Sequence, residues 1–340
     1  MNNLKSKFAI FSLSAICLLF SALTVSAQVV DTPEGTVEFI GLEEWTVEKI
    51  KAVMAEKAPN QPLGMCAAVL VEKVGFASAS AKGIGKVNGK DYTVVTLVEP
   101  QKAQLLKEKP EPENSLPNDE KWRQGIELRA KNRQAFHIGL DFYSAFLKSD
   151  NVKVNKLLSD LPQFAEHFKT LWQFLKMQNT PADFDKAIWT LNNDGNWRNR
   201  LFAAAVLANF ADKDLTWWTL MDAQRDSFHA VATTASQVLF SLSDHNPRKI
   251  NWAPAVHSVR YMVNGTNVFS FTKTLQAITK TNINPELRKI LLKENSQLLL
   301  AHLRANYKPD AEVARNFLKH LSGKDFGFEV DKWDRWIKEV

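Results

Sequence analysis

The chain has 340 residues, of which 45% are hydrophobic and 24% are charged, and its 43 basic and 37 acidic side chains give a formal net charge of +6. These proportions are typical of a globular protein, and they exclude a disordered, collagen-like or disulfide-rich chain. The length is sufficient for two packed domains. The mild positive charge does not by itself indicate nucleic-acid binding.

Residues 1–27 have the pattern of a secretory signal peptide. Lys5 and Lys7 form a short basic region, a long apolar stretch follows, and Ala27 lies where a signal peptidase would cut. We expect cleavage after Ala27 and a periplasmic or secreted mature protein without a membrane span. A lipoprotein processed at Cys17 and an uncleaved anchor are the alternatives. Ile16, the residue before Cys17, is larger than the Gly, Ala or Ser that lipoprotein processing requires at that position.

Residues 28–106 mix helical and strand periodicity and are predicted to form a small α+β domain. The predicted elements are helices at 47–54 and 66–74 and strands at 79–87 and 91–99. Gly75 follows the second helix, where a left-handed residue often ends a helix. Asn88 and Gly89 separate the two strands and form the strongest short-range signal for a hairpin turn.

Residues 107–121 are rich in proline and charge and have little apolar surface to bury, so we interpret them as a linker. From Trp122 to the end of the chain the apolar residues recur at helical spacing, without a convincing strand. Residues 122–340 are therefore predicted to be all-helical, and the protein as a whole is predicted to be predominantly helical.

A weak internal repeat occurs within the helical part. Trp189 and Trp218 each begin a Trp-Thr-Leu triplet, 29 residues apart, and each triplet precedes a helix rich in small residues, at 201–210 and 230–239. Helix pairs at this spacing bury their apolar faces by stacking on the next pair. The pattern resembles bacterial HEAT-repeat proteins, which form armadillo-like α-solenoids.

The C-terminus adds to this resemblance. A Gly-Lys-Asp-Phe-Gly turn at 323–327 leads into Trp333 and Trp336, which are three residues apart and share one helical face. The resemblance implies a structural cap over the last helix pair, formed by these two tryptophans. It implies an architecture and not an activity, because solenoids serve many unrelated functions.

The sequence contains little that indicates catalysis. Cys66, the single cysteine after removal of the leader, precedes a predicted helix in the manner of some nucleophiles, but no histidine follows it before His137. We therefore favour a core role for Cys66. No two of the seven histidines lie at metal-ligand spacing, and no nucleotide-binding or nucleophile-elbow motif occurs, so no cofactor and no metal are predicted.

Trp217 and Trp218 are the candidate surface residues. Adjacent residues point to different sides of a helix, so we expect one of the two rings to be exposed as a binding surface. The other solenoid tryptophans, Trp189 among them, are interpreted mostly as core.

The sequence thus predicts an exported, non-catalytic binding or scaffold protein that uses an α-solenoid surface to bind a protein partner. One alternative is a cell-envelope hydrolase, or its accessory subunit, with a site between the domains. Another is a glycan-binding protein that uses exposed tryptophan. No nucleic-acid partner is expected.

Overall fold

The computed structural model describes residues 28–106, 108–266, 268–292 and 296–340, and the predicted signal peptide lies outside these ranges. Within them, four strands form one sheet near the N-terminus. The strands are β1 Gln28–Thr32, β2 Gly35–Ile40, β3 Ser78–Val87 and β4 Lys90–Val98. Their order in the sheet is β1-β2-β4-β3.

The predicted hairpin is present as β3 and β4, which pair antiparallel around Asn88 and Gly89. Both turn residues have positive φ angles, 53° and 81°, as a tight two-residue hairpin turn requires. β1 and β2 also pair antiparallel, whereas β2 and β4 run parallel in the centre of the sheet.

Two helical segments cover one face of the sheet. They are α1, Val47–Lys57, and α2, Ala67–Val69, which continues as a π-helical turn over Leu70–Val74. Gly75 ends that turn at a φ of 88°, as the sequence predicts. Alternate strand residues such as Phe39 and Val95 pack against these helices in a core of their own.

The opposite face of the sheet packs on the helical part. Ile40, Tyr92 and Val94 belong to the same continuous core as the later helices. Glu38, with 0% exposure, accepts hydrogen bonds from the Tyr92 hydroxyl and from the backbone N–H groups of Asn306 and Tyr307. The sheet is therefore the middle layer between α1 and α2 on one side and the later helices on the other.

The described residues after the sheet form helices joined by short connections. They are α3 Arg123–Lys131, α4 Arg133–Leu147, α5 Asn151–Asp160, α6 Ala165–Lys176, α7 Pro181–Asn193, α8 Trp197–Val206, α9 Asp214–Ala223, α10 His229–His245, α11 Val256–Tyr261, α12 Phe271–Lys280, α13 Arg288–Leu292, α14 Gln297–Arg304, α15 Lys308–Ser322 and α16 Val330–Glu339. The sequence-based prediction of a small α+β part followed by helices is confirmed at this level.

Local sequence determines where several of these helices begin and end. At α7, Thr180 and Asp183 form a reciprocal capping box, with Pro181 in the first turn where its missing N–H costs nothing. α15 ends at Gly323, whose φ of 69° lets the chain turn away.

α10 lies at the centre of the helical part, and its neighbours α4 and α12 run parallel to it. His137 and Asp141 of α4 contact Gln237 and Ser241 of α10, which fixes the direction of the first pair. At the other neighbour, the Phe269 ring just before α12 lies 4.3 Å between centroids from the ring of His229, the first residue of α10, and Lys280 pairs with Asp244 near both C-termini. The N-terminal ends of these three helices thus lie at the same end of the molecule.

The segment interpreted as a linker lies along the helical part. The Asn114 carbonyl accepts a hydrogen bond from the Gly195 N–H at 2.7 Å. The Leu116 N–H donates to the Asp194 carboxylate at 3.0 Å. The Lys109 N–H donates to the Arg225 carbonyl at 2.7 Å. The segment is therefore held over α7–α9 and the turn before α10.

Among the helices that the structure describes, none combines the length and the apolar character needed to cross a bilayer.

Candidate functional site

A cleft of about 320 Å³ opens between the sheet and the N-terminal ends of α10 and α12, and we name it the sheet–helix cleft. Its sheet side consists of the turn before β3 and the first residues of that strand. Its apolar lining residues are Val71, Ala77, Ala79, Leu106, Ala232, Met262 and Phe269. Its other lining residues are Ser78, Glu108, Gln224, Arg225, Asp226, Ser227, His229, Thr233, Ser236, Gln237, Ser270 and Lys273.

One face of α10 supplies the polar wall of the cleft. His229, Thr233, Ser236 and Gln237 are spaced four, three and one residues apart, so they follow one side of the helix. Gln237 also holds His137 of α4, whose Nδ1 lies 2.7 Å from the Gln237 Oε1. Because that oxygen only accepts, the histidine donates from Nδ1. Burial lowers the pKa of His137 and favours its neutral form.

His229 stands at the mouth of the cleft beside Phe269. The two rings lie 4.3 Å apart between centroids, and the Thr233 hydroxyl is 3.3 Å from the His229 Nε2. Burial lowers the pKa of His229 below its usual 6.5, so the ring is mainly neutral at pH 7. The mouth therefore presents a neutral ring pair.

Lys273 supplies a positive charge on the α12 side of the cleft. Its Nζ lies 4.0 Å from the Asp141 Oδ1 and 5.2 Å from the centre of the Phe240 ring. Burial raises the pKa of Asp141, and the charge of Lys273 opposes that rise. The ammonium group is thus placed between a carboxylate and a ring.

Hydrogen bonds of Arg200 and Asp226 fix the turn that forms the end of the cleft. Arg200, with a side chain 1% exposed, donates from Nε and Nη2 to both carboxylate oxygens of Asp226 at 2.8 and 3.0 Å. Its Nη1 donates to the Asp194 carbonyl at 2.8 Å. Asp226 in turn accepts from the Phe228 N–H at 2.8 Å. The conformation of the turn is therefore set before any ligand arrives.

The polar side chains at the floor of the cleft also bond to one another. The buried Gln224 accepts hydrogen bonds at 3.0 Å from the hydroxyls of Ser270 and Thr274. These contacts join the end of α9 to the beginning of α12. Together with the fixed turn, they give a preformed cleft whose lining carries hydroxyl, amide and ammonium groups and the exposed Glu108 carboxylate.

The sequence-predicted surface residues lie elsewhere. Trp217 is 0% exposed, and its Nε1 donates to the Ala211 carbonyl, so the prediction of a surface role is wrong for this residue. The Trp217 ring is buried where α9 packs against its neighbours. Trp218 is half-buried and donates to the Asn251 carbonyl at 2.8 Å. Trp189, interpreted from the sequence as core, is 51% exposed on α7.

Trp333 and Trp336 lie on the buried face of α16. Their rings meet edge to face at 5.9 Å, and the Trp333 Nε1 donates to the Gly327 carbonyl at 2.9 Å. α16 packs against α14 through this side. Both rings belong to the same continuous core as the preceding helices.

Cys66 lies in the core between the sheet and α1, with 0% exposure. Burial raises the pKa of its thiol to about 12, which leaves the thiolate essentially unpopulated at neutral pH. It is not among the residues that line the sheet–helix cleft. No group of three or more His, Cys, Asp or Glu side chains that could hold a metal ion occurs in the described ranges.

The cleft lining does not form a recognisable motif in the sequence. One signal was available, because the small-residue helix at 230–239 has a polar face at Thr233, Ser236 and Gln237 in place of an apolar one. Lys273 and Phe269 had no such signal. Their position depends on how α12 packs on α10 and not on local spacing.

The comparisons with known proteins identify no relative. No protein-family model matches the chain, and searches of curated proteins and of solved structures give no match.

Proposed function

We propose that this chain is an exported, non-catalytic binding protein that holds a segment of a protein partner in the sheet–helix cleft. The observation that supports this most directly is a preformed opening of about 320 Å³ whose end is fixed by the buried Arg200–Asp226 pair. A site that is ordered before binding loses little conformational entropy when it is filled.

The groups of the cleft suit a peptide. Thr233, Ser236 and Gln237 offer hydroxyl and amide groups that can pair with a peptide backbone, and Lys273 can pair with a carbonyl or a carboxylate. The apolar sheet side and the exposed ring of Phe269 can cover a hydrophobic side chain. A mixed lining of this kind is common at protein interfaces.

The helical packing supports a HEAT-like array as the frame of the site. α7 packs on α8, α9 on α10, and α14 on α15, while α8, α10, α12 and α15 follow one another side by side. Each of these pairs shares its apolar face with the next in one continuous core. We infer that the paired helices are repeats, and that the cleft lies where the sheet meets this array.

The hydrolase alternative has less support. Its candidate nucleophile, Cys66, is enclosed in the sheet core with a raised pKa. The cleft itself offers His229 and Thr233 in contact, but burial lowers the pKa of the histidine and no carboxylate lies against its ring among the described contacts. A binding role fits these groups better than covalent catalysis does.

The test is partner capture by cross-linking from an extract of the source cell envelope, with chains that begin at residue 28. Ala232→Trp places a large ring in the cleft, and Lys273→Glu reverses its cation. Ala182→Trp, on an exposed part of α7, is the matched control. We expect both cleft variants to reduce capture about tenfold or more and the control to stay within about twofold of the parent.

Two results would overturn the proposal. One is a parent protein that enriches no protein over a bead control. The other is a partner captured equally by the parent and by both cleft variants. Loss of capture in the presence of soluble oligosaccharide, with the cleft variants unaffected, would favour the glycan alternative instead.

A further inference from the structure

A second surface, outside the lining of the sheet–helix cleft, combines arginines with stacked aromatic rings. Arg129 lies near the end of α3, Arg133 begins α4, Trp197 and Arg198 begin α8, and Phe228 precedes α10. We name these five residues the arginine–aromatic surface. Arg133 and Arg198 are exposed, whereas Arg129 and Trp197 are half-buried.

The rings of this surface hold its guanidinium groups. Phe228 stacks on Trp197 at 4.3 Å between centroids, with an interplanar angle of 15°. The guanidinium carbons of Arg198 and Arg129 lie 4.6 and 5.1 Å from the centre of the Trp197 ring. Guanidinium groups placed over an indole in this way gain a favourable cation–π attraction, which limits their conformational freedom.

The positive charge of the surface has no counter-charge within the described residues. None of the three arginines forms an ion pair with a carboxylate there, and the Arg129 Nε is buried without a hydrogen-bond partner. Two carboxylates that are close in the chain, Glu127 beside Arg129 and Asp226 beside Phe228, pair with Arg123 at 3.9 Å and with Arg200 at 2.8 Å.

The three arginines also repel one another. Burial, followed by the charges of Arg133 and Arg198, lowers the pKa of Arg129. The guanidinium group of Arg129 stays charged at any ordinary pH, so the repulsion persists in the free protein. An anion bound between the three groups would relieve it.

We propose that the arginine–aromatic surface binds an acidic peptide segment, through pairing of its arginines with carboxylates. The planar guanidinium group donates two parallel hydrogen bonds to a carboxylate, and such pairs are among the strongest polar contacts in proteins. The exposed part of Phe228, 37% of the residue, offers an apolar contact for a neighbouring side chain.

The ring geometry favours a peptide over a glycan. Sugars bind tryptophan through a free ring face, but Phe228 and the guanidinium groups already lie over the Trp197 ring. The number of arginines favours a short acidic segment over a polyanion. Proteins that bind nucleic acid commonly make about six or more phosphate contacts.

The inference deepens the proposed function, since it rests on the partner being a protein, but it concerns a different surface from the cleft. Its experiment is fluorescence anisotropy with a fluorescein-labelled octaglutamate peptide and the protein from residue 28 onward. Labelled octaglutamine is the neutral probe. R129Q/R133Q/R198Q is the test variant, and R123Q/R288Q/R335Q removes the same charge elsewhere on the helical part.

We expect saturable octaglutamate binding that weakens about tenfold or more in the test variant and about twofold or less in the control variant. Circular dichroism establishes that both variants are folded. If Arg129→Gln disturbs the α3–α8 packing, R133Q/R198Q alone keeps the test valid, because both side chains are exposed.

Three outcomes would overturn the inference. They are no saturable binding, equal losses in the two triple variants, and arginine-dependent binding of inorganic polyphosphate that is stronger than that of octaglutamate. Envelope-partner capture that fails while octaglutamate binding persists would count against the proposed function alone. Capture that is lost in both cleft variants, together with octaglutamate binding that is unchanged in the test variant, would support the cleft as the site and overturn this inference alone.

Discussion

Replacing Asp226 with alanine should destabilise the protein because it leaves Arg200 buried with its charge uncompensated. The two side chains are 7% and 1% exposed and share two hydrogen bonds. Removing one partner of a buried ion pair typically costs about 3–5 kcal/mol. The Glu111 carboxylate remains 3.9 Å from the Arg200 Nη2, so we expect the lower end, about 3 kcal/mol.

The assay is urea unfolding followed by tryptophan fluorescence and circular dichroism. With a slope of about 3 kcal/mol per molar urea, the midpoint should fall by about 1 M. Glu127→Ala is the control, because Glu127 pairs with Arg123 on the surface, where both side chains are at least 64% exposed. Surface pairs contribute about 0–1 kcal/mol, so this midpoint should hardly move.

The double variant Arg200→Met/Asp226→Leu tests the cause. If the loss in Asp226→Ala comes from an unpaired buried charge, the double variant should be more stable than that single variant, since apolar side chains of similar size need no counter-charge. Equal midpoint shifts for Asp226→Ala and Glu127→Ala would refute the reasoning, as would a double variant less stable than Asp226→Ala.

Three further predictions concern the cores. Gly125→Ala should lower the free energy of unfolding, measured in urea, by about 1–3 kcal/mol, because the new Cβ would overlap the Phe202 ring. Gly83→Ala, whose Cβ would face open space, should change it by about 0.5 kcal/mol or less. Equal losses in the two variants would contradict this. The fully buried His302 has a pKa of about 3 in the folded protein against 6.5 in the unfolded chain, so between these pH values the unfolded state binds more protons and the free energy of unfolding falls as the pH is lowered, by up to about 1.4 kcal/mol per pH unit. His302→Leu should therefore flatten a plot of unfolding free energy against pH from 6.5 to 4. An unchanged slope would contradict the assignment. The Cys66 thiol should resist a thiol reagent at pH 8 in the native protein and react promptly in urea, and rapid native labelling would contradict its burial.

Local signals were enough to predict the elements that depend on neighbouring residues. The Asn88-Gly89 turn and the β-branched run after it predicted β3 and β4, because a two-residue turn with positive φ angles sets the register of both strands. Gly75 marked the end of a helix for the same local reason. The helical periodicity after Trp122 was equally informative.

Long-range packing limited the rest. β2 pairs in parallel with β4 although more than forty residues separate them, and no local pattern specifies such a pairing. Trp217 illustrates the same limit at the level of a site. Spacing indicated that one of two adjacent rings faces outward, but the packing of α9 buries this one completely and Trp218 in part. The sheet–helix cleft was not predicted, because α10, α12 and the sheet form it jointly and these elements are far apart in the sequence.

The hydrogen bonds of Glu38 also constrain the order in which the molecule can be completed. A ribosome releases β2 early, yet the groups that satisfy this buried carboxylate belong to Asn306 and Tyr307, near the other end of the chain. Until those residues emerge, the Glu38 carboxyl has the Tyr92 hydroxyl as a partner but lacks these two N–H groups, and the apolar surface of the sheet lacks its cover. The sheet therefore acquires its full set of contacts only after residues 306 and 307 are synthesised, and a chain that stops before residue 306 should expose this face to chaperones and proteases.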